Sequence, residues 1–288
     1  MQDQTNDTSI DATPVDESTE RRFGGLTRLY GPASNIALQQ SHVAVVGIGG
    51  VGSWVAEALA RSGVGTLTLV DLDHVAESNI NRQVHALTST LGQAKVVAMA
   101  ARIAGINAAC HVKCVDDFLT PENVATVLPD DAAVVIDCTD QVSAKIAMVL
   151  HARARRLPLL VCGGAGGKTD LLSMRAGDLS EATHDALLAR MRNLLRKSHG
   201  FPKPSNAAGK AKKRIPKMGV SVIWVDQPTI LPDAWLLQKT TGDSEMASTL
   251  QGLSCAGYGS SVTVTGSMGF AAAAQAINII LNNKKVTR

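Results

Sequence analysis

Short aliphatic runs recur along this chain, and most are followed by a stretch with helical spacing. Val43–Val46 reads as a buried strand and Ser53–Ala60 as the helix after it. Thr66–Val70 is a second strand, and a helix from Ala94 to Ala104 carries Lys95 in its first turn. His111–Val115 is a short strand, and Pro121 stands well to open another helix, because proline suits a first helical turn. Val134–Asp137 is buried, a helix covers Ala144–Arg155, and Pro158–Cys162 is the next strand, closed by Gly163–Gly167. Alternation of this kind predicts an α/β fold with a doubly wound, mostly parallel sheet. Arg21–Gln40, ahead of it, reads as a helical arm with a turn at Tyr30-Gly31-Pro32. The alternation stops after Gly167. Residues 168–288 are therefore expected to form a C-terminal extension, carrying substrate and dimer contacts, of a single domain over 21–288 whose nucleotide-binding part is 21–167.

Val262–Leu281 is apolar and rich in small residues, and its length approaches what a bilayer requires. Gln275 and Asn278 interrupt it, so a buried helix in the core or at a subunit contact is the preferred reading; peripheral membrane association stays open. With 3% aromatic residues, Ala, Val, Leu and Ile must fill the core. Residues 1–20 carry acids and no Lys or Arg and have little to bury, which predicts a disordered acidic tail. The cysteines 110, 114, 138, 162 and 255 include no Cys-x-x-Cys pair, so a paired-cysteine zinc site is not expected, and the scattered set suits reduced thiols in the cytoplasm.

The turn after the first strand, Gly47-Ile48-Gly49-Gly50-Val51-Gly52, carries the first chemistry. Gly47 permits a tight turn, Gly49 and Gly50 let the backbone approach an anion, and Gly52 lets helix and strand pack closely. The helix N-terminus then offers unpaired N–H groups and the positive end of its dipole to a phosphate. Asp71 ends the second strand roughly 20 residues on, the Rossmann-like spacing for an acid that accepts hydrogen bonds from a ribose. These residues alone fit ATP, NAD, FAD or S-adenosylmethionine.

Three further residues narrow the choice. Arg82, Lys95 and Asp140 all fall at strand exits or helix starts, the edge where open α/β sheets bind ligands. Arg82 presents a planar fork to phosphate oxygens and Lys95 a compact charge. An acid beside phosphates is costly unless it holds a cation, so Asp140 points to Mg2+. Two cations, one acid and a glycine turn make a site for ATP that leaves as AMP and pyrophosphate.

Residues 190–217 contain ten Lys or Arg and no acid. Arg196 and Lys197 end a helix, and Lys210, Lys212, Lys213 and Arg214 lie in a loop near 198–217 broken by glycine and proline. Uncompensated cations favour a polyanionic partner, and with few aromatics nearby they favour contacts to an RNA backbone over base reading. The competing reading is a solvated charged loop.

The motifs Gly47–Gly52, Asp71-Leu72-Asp73, Ser78-Asn79-Ile80-Asn81-Arg82-Gln83, Gly92-Gln93-Ala94-Lys95 and Asp137-Cys138-Thr139-Asp140 together resemble the ubiquitin-activating-enzyme-like superfamily (ThiF, MoeB, HesA). The resemblance implies its adenylation fold, ATP with Mg2+, Gly50 and Asp71 at the nucleotide, Asn79, Arg82 and Lys95 at the phosphates, and Asp140 at the metal. Asp73, Ser78 and Gln83 belong to the same motifs. Arg22–Gly31, Asn81–Leu87, Val115–Phe118 and Gly163–Gly167 extend the resemblance to a tRNA-modifying branch. That branch implies ATP-dependent cyclisation of threonylcarbamoyladenosine beside the anticodon. It also implies a homodimer and a sulfur-relay partner of the cysteine desulfurase system. In the carrier-activating relatives an arm arginine reaches the neighbouring subunit's phosphates; the matching place here is Gly25, which leaves Arg22 or Arg28 to serve instead, the alternative being that neither reaches. The rival within the superfamily adenylates the C-terminus of a sulfur-carrier or ubiquitin-like protein. An NAD-dependent oxidoreductase and a plain RNA-binding module are the rivals outside it.

Overall fold

The structure, a computed structural model, describes residues 17–204, 215–231 and 258–286. Lys210, Lys212, Lys213, Arg214, Cys255 and most of the acidic tail lie outside them. Two helices, α1 (Glu17–Tyr30) and α2 (Ser34–Gln39), form the arm, and α1 begins inside the segment read as tail. Strands β1 (His42–Val46), β2 (Thr66–Val70), β3 (His111–Val115), β4 (Val134–Asp137), β5 (Leu159–Cys162), β6 (Met174–Asp178) and β7 (Ser221–Val225) make one sheet in the order β3-β2-β1-β4-β5-β7-β6. All neighbours are parallel except β6 and β7. Helices α3 (Gly52–Arg61), α4 (Lys95–Ile106), the single turn α5 (Val124–Val127), α6 (Val142–Arg155), α7 (Ala186–Ser198) and α8 (Val262–Val286) cover it.

The sheet reverses its winding between β1 and β4, whose register pairs Val46 with Asp137. A crevice opens beyond the carboxyl ends of strands at such a switch point. The glycine turn leaves β1 there, and the Cys138–Asp140 loop leaves β4 beside it. All five residues of β1 are buried, as a central parallel strand covered on both faces must be.

Helix α8 is a core element. Val264, Met268, Ala272, Ala276 and Ile280 are buried against the sheet and α3. Its small residues permit that approach: a Cβ on Gly269 would sit 2.7 Å from the Val51 carbonyl oxygen. The helix is long and apolar enough to cross a membrane by length and composition, but its apolar face is taken up by this packing.

One local expectation fails, and one pair of strands was not foreseen. Pro121 does not open a helix. The Asn123 side chain accepts from the Thr120 N–H and donates to the Phe118 carbonyl, which holds the segment in a turn until Val124. The antiparallel β6–β7 pair has no counterpart in the sequence pattern either. Met174–Asp178 has little strand propensity of its own and is extended because it pairs with β7.

Candidate active site

Gly47, Gly49, Gly50, Asp71, Asp73, Ser78, Asn79, Arg82, Gln83, Lys95 and Asp140 line one cavity of about 350 Å³ at the switch point. Gly52 lies beneath it. A Cβ there would fall 1.8 Å from the Gly47 carbonyl oxygen and 3.2 Å from the Cys138 Cβ, so Gly52 lets the start of α3 close onto the exits of β1 and β4. Gly47, with φ +87°, completes the turn.

Asp71 braces this turn from the end of β2. Its Oδ2 accepts from the Ile48 N–H at 2.6 Å and its Oδ1 from the Asp73 N–H at 2.9 Å. Burial pushes its carboxyl up from the ordinary range, while Lys95 and these N–H groups pull it down. Lys95, the first residue of α4, places its ammonium 2.7 Å from Asp73 Oδ2 and 3.8 Å from Asp71 Oδ1. Its charge is thereby held in the cleft with a side chain only 7% exposed.

The 77–83 segment is held from two sides. Trp54 Nε1 of α3 donates to the Arg82 carbonyl at 2.9 Å, and Asn81 Nδ2 donates to the Ser260 carbonyl at 3.0 Å. Arg82 Nη1 donates to the Ser78 carbonyl and to Asn81 Oδ1, so the guanidinium stays folded over the cavity. Asn79 Oδ1 accepts from the Ala76 N–H and shapes the loop; Gln83 Oε1 is buried with no hydrogen-bond partner among the described residues. Asp140 is exposed at the cavity rim. No cluster of three or more His, Cys, Asp or Glu suited to a metal occurs among the described residues.

Beneath the same loop, His85 is 1% exposed and neither ring nitrogen has a hydrogen-bond partner among the described residues. Burial first, then the charges of Lys95 and Arg102, pushes its pKa down to about 4. An unfolded histidine titrates near 6.5, so on acidification the unfolded chain takes up this proton first. The neutral ring's contribution is complete above about pH 6.5 and is lost as pH falls towards 4. Stability from urea unfolding should decline across that window by up to about 3 kcal/mol, and H85L should flatten the decline. An equal slope in the variant would contradict this.

A second cavity, about 1200 Å³, shares Asp73, Phe118, Asp140, Gln141 and Leu187 with the first. Its walls include Lys168, Arg190 and Tyr258, none of them singled out as site residues from sequence. Lys168 follows the Gly163–Gly167 run directly, and that position at a strand exit was the available signal.

Other predicted residues lie apart. Arg196 and Lys197, in the last turn of α7, line neither cavity; Arg196 is half-buried and its Nε donates to the Pro202 carbonyl. Arg22 Nη1 donates to the Ile106 carbonyl of its own chain at 3.0 Å, whereas Arg28 is exposed on α1.

A seven-stranded, switch-point sheet with this cradle is an adenylating architecture, and likeness to known proteins agrees. The ThiF family model matches residues 25–288, so the chain belongs to the ThiF family. It is 39% identical over 269 residues to a tRNA threonylcarbamoyladenosine dehydratase of Haemophilus influenzae, covering 93% of this chain and 96% of that one. It is also similar to the crystal structure of E. coli tRNA N6-threonylcarbamoyladenosine dehydratase, TcdA, in complex with ATP. There the TM-score is 0.80 and the identity 35%, over 96% of this chain and 100% of that one. Likeness to the E. coli molybdopterin-synthase adenylyltransferase is shorter: 35% over 124 residues, covering 43% of this chain and 49% of that one.

Proposed function

We infer that this chain is an ATP-dependent dehydratase that closes threonylcarbamoyladenosine in tRNA to its cyclic form. One observation carries the reading. The nucleotide cleft opens at Asp140 into a second, larger cavity with room for a modified nucleoside and its flanking chain, and likeness to the dehydratases continues across the residues that build it. Likeness to the carrier-activating enzyme covers less than half of the chain.

The chemistry follows from the substrate. A carboxylate is a poor electrophile because its oxygen leaves badly. Attack of the threonyl carboxylate on the α-phosphorus of ATP forms an acyl adenylate and releases pyrophosphate. The substrate's own carbamoyl group then attacks the activated carbonyl, loses a proton and expels AMP, which carries away the carboxylate oxygen. Ring closure within one molecule enjoys a high effective molarity, so no protein nucleophile is needed. The protein's task is positioning and charge neutralisation: Asp71 at the ribose, with the glycine turn, Asn79, Arg82 and Lys95 at the phosphates.

Mg2+ usually keeps several waters and is held by one or two carboxylates together with substrate phosphates. A single exposed carboxylate at the cavity rim fits that pattern better than it fits a resident all-protein cage. Asp140 would hold the ion, which would offset phosphate charge.

The further partners are part of the same proposal. A homodimer would let Arg28 reach the neighbouring subunit's phosphates; Arg22 is already committed to Ile106. A sulfur-relay protein of the cysteine desulfurase type is an accessory partner by family resemblance. The cytoplasm is the expected compartment.

Pyrophosphate exchange into ATP tests the reading. It should be stimulated by tRNA bearing threonylcarbamoyladenosine and not by a carrier protein ending in Gly-Gly. The reverse pattern would favour carrier activation. The basic segment has its own test. Replacing Lys210, Lys212, Lys213 and Arg214 by Ser should weaken tRNA binding. The slope of log K against log salt should fall by roughly 0.7–0.9 for each phosphate no longer neutralised. An unchanged slope would make the segment a solvated loop.

A further inference from the structure

Helix α7 presents two faces. Leu188, Met191 and Leu195 are buried in the core, while Leu187, Arg190, Leu194 and Ser198 line the larger cavity. The second set is spaced as one stripe of a helix. Three apolar or small positions interrupted by one arginine need a reason, because an apolar wall for a nucleobase would be served by a fourth apolar residue.

The position of α7 supplies one. Asp185 caps the helix, with Oδ1 accepting from the Leu188 N–H and Oδ2 from the Gly164 N–H, each at 2.8 Å. The first turn is thereby tied to the exit of β5, and Leu187 lines both cavities. Arg190 stands about one turn further into the larger one, roughly 4.5 Å along the helix axis. The other lysine or arginine of that cavity is Lys168, which is 3% exposed and donates to the His184 and Gln227 carbonyls. Burial lowers the Lys168 pKa. The acids that line the same cavity are Asp73, Asp185 and Asp140.

A substrate carboxylate that must meet the α-phosphate at this junction approaches a triphosphate and Asp140, so like charges oppose it. An arginine fork one turn away offsets that repulsion and can hold both carboxylate oxygens. We propose that Arg190 receives the threonyl carboxylate of the modified nucleoside in the larger cavity, and so distinguishes modified from unmodified tRNA. Phe118, exposed and common to both cavities, is placed to stack on the base, as aromatic side chains do on everted nucleosides. This rests on the dehydratase reading and names the substrate contact within it.

The test measures equilibrium binding of one tRNA in two forms, with threonylcarbamoyladenosine and with plain adenosine, to the intact chain. The unvaried chain should prefer the modified form by about 10- to 100-fold, the range for a hydrogen-bonded charge. R190A should bind both forms alike, keep its affinity for plain tRNA and for ATP, and raise KM for modified tRNA. R190K should restore part of the preference. Retained preference in R190A would overturn the assignment. Equal weakening for both forms would also overturn it, by making Arg190 a backbone-phosphate contact. Failure of the dehydratase reading looks different, since the unvaried chain would then show no preference and make no dehydrated nucleoside.

Discussion

Replacing Lys145 by Met should destabilise the chain by about 3–5 kcal/mol, the cost of stranding one member of a buried ion pair. Lys145 and Asp137 are both fully buried, with Nζ 3.1 Å from Oδ1. The ammonium also donates to the Cys162 carbonyl at 2.8 Å, and Asp137 Oδ1 accepts from the Thr139 N–H and hydroxyl. Burial pushes the Asp137 carboxyl up, and Lys145 opposes it. The pair therefore ties α6 to the ends of β4 and β5, directly beneath the loop that carries Asp140. In K145M the carboxyl keeps its desolvation cost and loses its cation. The double variant D137N/K145M should recover most of the loss, because replacing both partners is far less costly than removing one. Urea unfolding of the four chains in a double-mutant cycle measures the coupling. Additive losses would show that the two groups do not depend on each other.

The second large effect falls on activity. K95A should lower kcat/KM for adenylate formation about 10²–10³-fold, the usual consequence of removing one preorganised charge from a transition state. Its ammonium is set by the first turn of α4 and by Asp73 and Asp71, so it does not have to be ordered when ATP arrives. Without it, Asp71 and Asp73 present uncompensated negative charge to an anionic ligand, so ATP affinity should fall too. K95R should rescue poorly, since a planar fork does not fit a position shaped for a point charge. Single-turnover pyrophosphate release gives the rates, and a loss below tenfold in K95A would remove Lys95 from the phosphate site.

Much of this site was legible in the sequence because local rules place it. A glycine turn after a buried strand, an acid at the end of the next strand and cations at helix starts all fall on the carboxyl edge of a parallel sheet. No long-range information is needed to bring Gly47, Asp71, Lys95 and Asp140 together. Gly52 fits its sequence reading, since a Cβ there would meet the Gly47 carbonyl at the exit of β1 and Cys138 at the exit of β4. What stayed hidden depends on tertiary placement. Arg190 read as one more cation in a basic run, and only the cap at Asp185 and the packing of α7 against α6 turn it toward the larger cavity. Strand β6 has no propensity signal and exists through β7. The α8 segment, by contrast, was legible as a buried helix, and it resembles a membrane span only because a helix packed tightly on α3 needs the same small and apolar residues.

The functional reading turns on whether this cleft splits ATP to dehydrate a nucleoside already in tRNA. The purified chain is incubated with ATP, magnesium ion and tRNA bearing threonylcarbamoyladenosine, without any sulfur-relay protein, and the digested nucleosides are weighed by mass spectrometry. A nucleoside lighter by one water is expected, formed in step with AMP and pyrophosphate and dependent on Lys95 and Asp140. Unchanged threonylcarbamoyladenosine, under conditions where the Haemophilus influenzae enzyme converts the same tRNA, would contradict it.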